Sequence, residues 1–450
     1  MRRRALLMSA VLAFLWTPGL GQDIDIESFP PKAEMTELYP PFDDGLPPNT
    51  LDVMELISSA ASRNPELAAM RDNWRIAQAL IPQMEAVPDP VFTAQYAQIP
   101  GFANPQFIHR GYVQVSLSQK LPGYGKIPAR TRVAELEVEV RHRLYQELLN
   151  SILTEIQKKL VELYLVETQI QIKRKHQFMI DHLIRVTNIR YSVGKGAQPD
   201  VVRAQTERTR FESELSELWG RRKRILLRLK YLTGSDILPV GRAPVPAQPN
   251  EIELELENLL ETAQLYRPQL WAIRTQIEKA QARRRLAETE DNPDVTLAIM
   301  SRWFEYRPDG IMLTASISLP FFNQRGYEYA VIEQEREIEK AESLLREALE
   351  KIEYGLGDKI VEIETANDRY KIVEDTHLLQ AQQLFRGSLK SYETGEYDFN
   401  SLIRAQHTLQ EVELLMIKLE TEASLAFAEI EGMVGIMMVP AYQFPNGGMP

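Results

Sequence analysis

One turn, present twice, constrains this chain more than any other feature. Tyr191-Ser192-Val193-Gly194 is followed by Lys195-Gly196-Ala197-Gln198-Pro199-Asp200-Val201-Val202-Arg203-Ala204-Gln205. Tyr392-Glu393-Thr394-Gly395 is followed by Glu396-Tyr397-Asp398-Phe399-Asn400-Ser401-Leu402-Ile403-Arg404-Ala405-Gln406. Tyr, Gly, Arg, Ala and Gln recur 201 residues apart, and Leu232-Thr233-Gly234 and Met433-Val434-Gly435 keep the same offset. Gly194 and Gly395 each separate two long stretches of helical periodicity. Glycine suits such a junction because it reaches positive φ without a Cβ clash. The pattern predicts two long helical hairpins in a duplicated chain. A period this long is duplication of one unit and not a solenoid.

Each copy reads as helix, strand, strand, long helix, helix. In the first, a helix from Leu51 to about Ala86, N-capped by Thr50, breaks near Asn64-Pro65. Period-two alternation then marks strands at about 91–97 and 112–119, with Val113, Val115 and Leu117 on one face and Gln114, Ser116 and Ser118 on the other. From Lys126 to Tyr191 apolar residues recur at steps of three and four, among them Leu136, Val140, Ile152, Ile156, Leu160 and Leu163. About 65 residues at ~1.5 Å each make a helix of about 100 Å, and its stripe needs neighbours along its whole length. A return helix runs from about Pro199 to Leu232.

The second copy repeats the order. Its helix, about 252–288, breaks at Arg267-Pro268, and strands follow at about 295–303 and 311–319 around a turn at Arg307-Pro308-Asp309-Gly310. A helix from Tyr327 to Tyr392, with a bend expected at Gly355 and Gly357, leads to the last helix at about 399–433. The domain reading is a signal peptide at 1–21, an extended lead-in at 22–50, a first repeat at 51–234, a linker at 235–250, a second repeat at 251–435 and a tail at 436–450. The signal reading rests on Arg2, Arg3 and Arg4, a short apolar core from Ala5 to Trp16, and Gly19 and Gly21 before a cut at Gln22. That core is too short to span a bilayer, which takes about 20 residues.

Composition removes several function classes. A net charge of −11 argues against a nucleic-acid binder, which needs basic clusters. With no cysteine there are no disulfides, thiolate metal sites, cysteine nucleophile or lipidated cysteine. The histidines, His109, His142, His176, His182, His377 and His407, form no HExxH pair, and solvent-facing positions are expected for them. Gly123-Tyr124-Gly125-Lys126 lacks the phosphate-loop spacing and reads as a turn. No catalytic, metal or cofactor site is expected, and the chain reads as a non-enzyme.

Four amphipathic strands cannot close a barrel alone. In lipid a sheet must close, because an open edge leaves backbone groups unpaired. An exported chain of this pattern therefore implies several copies around one barrel. The duplicated unit, both turns with their Arg-Ala-Gln sequels, and Ser116-Leu117-Ser118-Gln119-Lys120-Leu121-Pro122-Gly123-Tyr124-Gly125-Lys126 together resemble the TolC family of outer-membrane efflux proteins. The junction sequence is similar to the heavy-metal efflux (CzcC/CusC-like) branch.

That resemblance implies a mainly α fold with a small membrane β-barrel: a homotrimer whose α-barrel crosses the periplasm and whose shared twelve-stranded barrel lies in outer-membrane lipid. It implies a periplasmic adaptor and an inner-membrane RND-type pump as partners, with no nucleic acid. Tyr191, Gly194, Tyr392 and Gly395 would shape the adaptor-contacting tips. Asp200, Arg203, Asp398 and Arg404 would hold the entrance closed, although basic residues at 203 and 404 depart from the family's acidic pattern. The alternatives are a soluble periplasmic coiled-coil scaffold or adaptor, and an outer-membrane channel for type I protein secretion.

Overall fold

The computed structural model describes residues 44–98, 111–236, 238–246, 254–304 and 307–435. The expected signal peptide, most of the lead-in, the first strand–strand loop, part of the linker and the tail lie outside them. The elements are α1 (Val53–Arg63), α2 (Pro65–Glu85), β1 (Val91–Gln98), β2 (Gly111–Leu121), α3 (Lys126–Ser192) and α4 (Gln198–Thr233). The second copy supplies α5 (Leu256–Tyr266), α6 (Pro268–Thr289), β3 (Val295–Phe304), β4 (Arg307–Ile317) and a 3-10 turn (Pro320–Asn323). It ends with α7 (Gln324–Ile372), a π-helical segment (Val373–Leu378), α8 (Leu379–Thr394) and α9 (Phe399–Val434). Among the described residues two compact units result, one formed by those at 44–68, 148–267 and 351–435, the other by those at 69–147 and 268–350.

In the first unit the periodic stripe of α3 is buried: Ile156, Leu163, Val166 and Ile170 have no exposed surface. Its core joins Met179, Ile180 and Leu183 of α3 to Phe211 of α4, Phe385 of α8 and Phe399, Leu402 and Leu409 of α9. The two glycines that end the return helices are bound to the two helix breaks. Gly234 has φ +62°, and a Cβ there would lie 2.5 Å from the Arg63 carbonyl oxygen. Gly435 has φ +75°, and its Cβ would lie 2.7 Å from Arg267 Cα. Asn64 Nδ2 donates to the Leu232 carbonyl at 2.7 Å, and Arg267 guanidinium donates to the Met433 carbonyl at 3.0 Å. Each break thus carries a side chain that satisfies a C-terminal carbonyl of the return helix, which has no partner within its own helix.

In the second unit the strands form one antiparallel sheet in the order β1-β2-β3-β4. Its register aligns Phe92 with Leu117, Leu117 with Ile299, and Ile299 with Leu313. Since side chains alternate, one face carries Phe92, Tyr96, Val113, Leu117, Leu297, Ile299, Ile311, Leu313 and Ile317 across all four strands. All nine are exposed in the single chain. The opposite face carries Thr93, Gln95, Gln114, Ser116, Thr296, Thr314 and Ser316.

Asp294, one residue before β3, organises the junction after β2. It accepts from the Gly123 backbone N–H at 2.8 Å, from Lys126 Nζ at 3.0 Å and from Lys120 Nζ at 2.9 Å. Burial pushes its carboxyl up, but the Lys120, Gly123 and Lys126 donors outweigh that and hold it at about 2. A Cβ on Gly123 would come within 2.7 Å of the Asn292 carbonyl oxygen, which explains the glycine in the junction sequence.

Several expectations are corrected. Asp52, not Thr50, caps α1, its carboxylate accepting from the Met54 and Glu55 N–H groups, while Thr50 bridges to Arg242. The predicted turn at 307–310 is strand: β4 begins at Arg307, with a register shift at Arg302/Trp303 and Gly310 at φ +155°. Helix α7 runs unbroken through Gly355 and Gly357, and the irregular stretch is the π-helical segment at Val373–Leu378. Gly355 instead serves packing, since a Cβ there would lie 2.8 Å from Met433 Sδ.

Candidate functional site

The twin turns close in the same way. Lys195 N–H donates to the Arg190 carbonyl at 2.8 Å, and Glu396 N–H donates to the Ser391 carbonyl at 2.9 Å, the equivalent bond 201 residues on. Gly194 at φ +72° and Gly395 at φ +89° supply the left-handed residue that reverses the chain after each helix. The tyrosines are not equivalent. Tyr392 is buried and packs edge-on against Phe399 with ring centroids 5.7 Å apart, whereas Tyr191 is 49% exposed.

Arg190 makes the difference, and sequence reasoning passed over it. Its guanidinium donates to the Tyr392 carbonyl, to the Glu393 carbonyl at 3.3 Å and to the Lys195 carbonyl at 3.3 Å. It also stacks over the Tyr392 ring, 4.7 Å from the centroid. A single cation therefore ties carbonyls at the C-terminal end of α8, where the helix dipole is negative, to the turn that follows α3. Burial pushes the Tyr392 phenol up against the opposing pull of Arg190. The one visible signal was asymmetry: Arg190 stands where the second copy has Ser391.

Charge-assisted bonds are worth about 1.5–3 kcal/mol and the stacking about 0.5–1 more. Arg190→Ala is expected to speed amide exchange at residues 391–396 at least tenfold. Arg190→Lys should restore little of this, because a point charge cannot reach both turns and stack. Unchanged exchange would remove Arg190 as the clamp.

The four charged residues beyond the turns are only partly brought together. Asp398 caps α9, accepting from the Ser401 N–H at 2.8 Å. Its carboxyl is held below the usual range by the Ser401 hydrogen bonds first, then by Arg404 and Arg203. Arg404 donates to Ser401 Oγ at 3.0 Å rather than to a carboxylate. Asp200 lies in the first turn of α4. Arg203, Arg404 and Asp398 are exposed within the single chain.

Deeper in the first unit lies a polar cluster that overturns the expectation of a solvent-facing His176. This residue has no exposed surface. Its Nε2 lies 3.0 Å from Glu413 Oε2 and its Nδ1 lies 2.9 Å from Gln406 Nε2. With the Gln406 amide donating to Nδ1, the imidazole proton sits on Nε2 and is donated to Glu413. Lys175 Nζ donates to Glu413 Oε1 at 2.8 Å. Burial pushes Glu413 up, but His176 and Lys175 more than offset this and hold it at about 2. The signal was present: position 176 falls in step with the buried stripe at Ile170, Ile180 and Leu183. Gln406, from the second Arg-Ala-Gln sequel, is fully buried here, while Gln205 in the first is exposed.

Among the described residues no group of three His, Cys, Asp or Glu side chains is placed to hold a metal ion, and no helix is long and apolar enough to cross a membrane.

Comparison with known proteins agrees with this architecture. Residues 56–235 match the family model of the outer membrane efflux protein. No curated protein matches the sequence. Among solved structures, the fold is similar to the outer-membrane channel OprN, at 18% identity and a TM-score of 0.68, over 85% of this chain and 89% of that one. The outer membrane protein VceC of Vibrio cholerae matches at 17% identity and a TM-score of 0.71, over 85% and 96%. The transmembrane channel protein CusC matches at 15% and 0.71, over 85% and 92%. The first repeat matches the outer membrane efflux protein model, and the two repeats together carry the fold of these outer-membrane channels.

Proposed function

We propose that this chain is the outer-membrane exit duct of a tripartite efflux system. Three copies contribute their strands to one barrel, and substrates delivered by an inner-membrane RND-type pump through a periplasmic adaptor leave passively. The carrying observation is the four-stranded sheet, with an apolar face exposed across every strand and two open edges. In water such a face and such edges invite aggregation. In lipid the face is solvated by acyl chains, and the edges require further strands to close the ring.

The twin turns are the proposed contact with the adaptor, with Tyr191, Gly194, Tyr392 and Gly395 shaping them. Metal cations or small toxic compounds are the proposed cargo, on the similarity of the 116–126 junction sequence to the heavy-metal branch. Fractionation with size analysis in detergent tests the architecture. A heat-sensitive trimer in the outer-membrane fraction is expected, and a soluble periplasmic monomer would overturn the reading.

Asp200, Arg203, Asp398 and Arg404 are proposed to restrain the entrance once copies assemble. Arg404 is exposed and spends its guanidinium on Ser401 alone, which leaves donors for a carboxylate of a neighbouring copy. Arg404→Ala is expected to raise single-channel conductance in planar bilayers several-fold. Conductance equal to that of the parent protein would remove Arg404 from the gate.

A further inference from the structure

The duplication carries information about a contact that lies between copies. The sheet order leaves β1 and β4 as free edges. In the duplicated unit β1 corresponds to β3, and β4 corresponds to β2. Leu121-Pro122 ends β2, Leu319-Pro320 follows the end of β4, and Asp89 and Asp294 stand ahead of the two incoming strands. Within one chain the outgoing β2 meets the incoming β3 with Leu121 opposite Val295, so that Asp294 stands beside Pro122 and holds the junction.

We propose that β4 of one copy pairs with β1 of the next in that same register. This places Leu319 opposite Pro90, Ile317 opposite Phe92, Ala315 opposite Ala94, and Leu313 opposite Tyr96. Asp89 then stands beside Pro320 as Asp294 stands beside Pro122. The proposal rests on the channel reading and specifies its subunit seam.

The register passes a test it was not built on. It aligns apolar residues with apolar ones and leaves Ser316 opposite Thr93 and Thr314 opposite Gln95 on the polar face. A one-residue slip would set Ile317 against Thr93 and turn one strand inside out. A two-residue slip keeps the faces but moves Asp89 away from Pro320. Pro90, with no N–H to donate, lies just ahead of β1, where it removes no ladder bond.

Exposure agrees as well. On the apolar face the central strands expose Val113, Leu117, Leu297 and Ile299 by 44–49%. The edge strands expose Phe92 by 69%, Tyr96 by 67%, Ile317 by 58% and Leu313 by 79%. Edge-to-edge pairing with a second copy brings the latter toward the former.

The natural chain has no cysteine, so introduced pairs report without background. We would make Gln95→Cys with Thr314→Cys, and Ala94→Cys with Ala315→Cys. These are adjacent positions, so one pair is of the closely spaced, non-hydrogen-bonded kind that a disulfide fits. The slipped controls are Gln95→Cys with Met312→Cys and Gln95→Cys with Ser316→Cys. Within one sheet β1 and β4 are about 14 Å apart, so any bond joins two copies.

On mild oxidation of the detergent-solubilised protein, the in-register pairs are expected to give at least tenfold more covalent trimer than the slipped ones. Single-cysteine variants must remain trimeric, which separates failed assembly from wrong register. A trimer that crosslinks best in a slipped pair, or in none, overturns this register and leaves the channel reading standing. A monomer before oxidation overturns both.

Discussion

Glu413→Ala is expected to open the seam between α3 and α9 by about 3 kcal/mol, the low end of the roughly 3–5 kcal/mol seen when one partner of a buried ion pair is removed. His176 has no route to water, and its Nε2–H would be left without an acceptor. Lys175, with 23% of its side chain exposed, can reach solvent, and this keeps the cost at the low end. Hydrogen exchange of α9 amides at 406–416 is the measurement, and about 3 kcal/mol corresponds to roughly 100-fold faster opening. Rates within twofold of the parent would show that the cluster contributes nothing.

The same group sets an acid limit. Its folded-state value is lowered, so its contribution is complete above the ordinary glutamate value of 4.5 and is lost as pH falls through about 2. Exchange protection in α9 should therefore fall between those limits in the parent protein. In Glu413→Ala it should be flatter over the same range.

Gly234→Ala and Gly435→Ala are expected to be the most damaging single-methyl changes in the chain, at roughly 3 kcal/mol or more each. A left-handed alanine costs about 1 kcal/mol by itself. The rest comes from collision with backbone: 2.5 Å to the Arg63 carbonyl oxygen in one copy and 2.7 Å to Arg267 Cα in the other. Relieving it moves the helix break and strains the Asn64–Leu232 or Arg267–Met433 bond. Gly194→Ala is the control. Its φ of +72° is similar, but nothing lies within 4 Å of the added methyl, so only the conformational cost of about 1 kcal/mol applies. Exchange-derived opening energies that rank Gly194→Ala level with Gly234→Ala would sink the packing argument.

These glycines show where sequence reasoning stops. Their place after a long periodic stretch announced a helix end, and the 201-residue offset announced duplication. The breaks at Asn64-Pro65 and Arg267-Pro268 were equally plain, because proline cannot continue a helix. That break and glycine belong to one joint was not visible, because the two lie about 170 residues apart and meet only when the return helix folds back. The expected bend at Gly355 and Gly357 failed for the same reason. Glycine weakens a helix in isolation, but here Gly355 admits Met433 against α7, and packing keeps the helix whole.

The tips divide in the same way. The turns and their left-handed glycines follow from local chemistry within a few residues, so the sequence alone was enough, whereas the capping role of Asp398 came from the structure. Arg190 acts across 202 residues on carbonyls that any sequence would present, and backbone acceptors leave no mark in a list of side chains.

Local and periodic information determined most of this protein: helix lengths to within a few residues, the amphipathic strands and their faces, the twin turns and the duplication. These are properties of neighbours along the chain, where sterics and a repeat of two or 3.6 residues decide. Tertiary structure alone decided which polar groups are buried together. His176 read as a solvent-facing residue, and Gln406 and Glu413 were not singled out as its partners. Only packing α3 against α9 removes water from them, and once water is gone each must find its partner in the others.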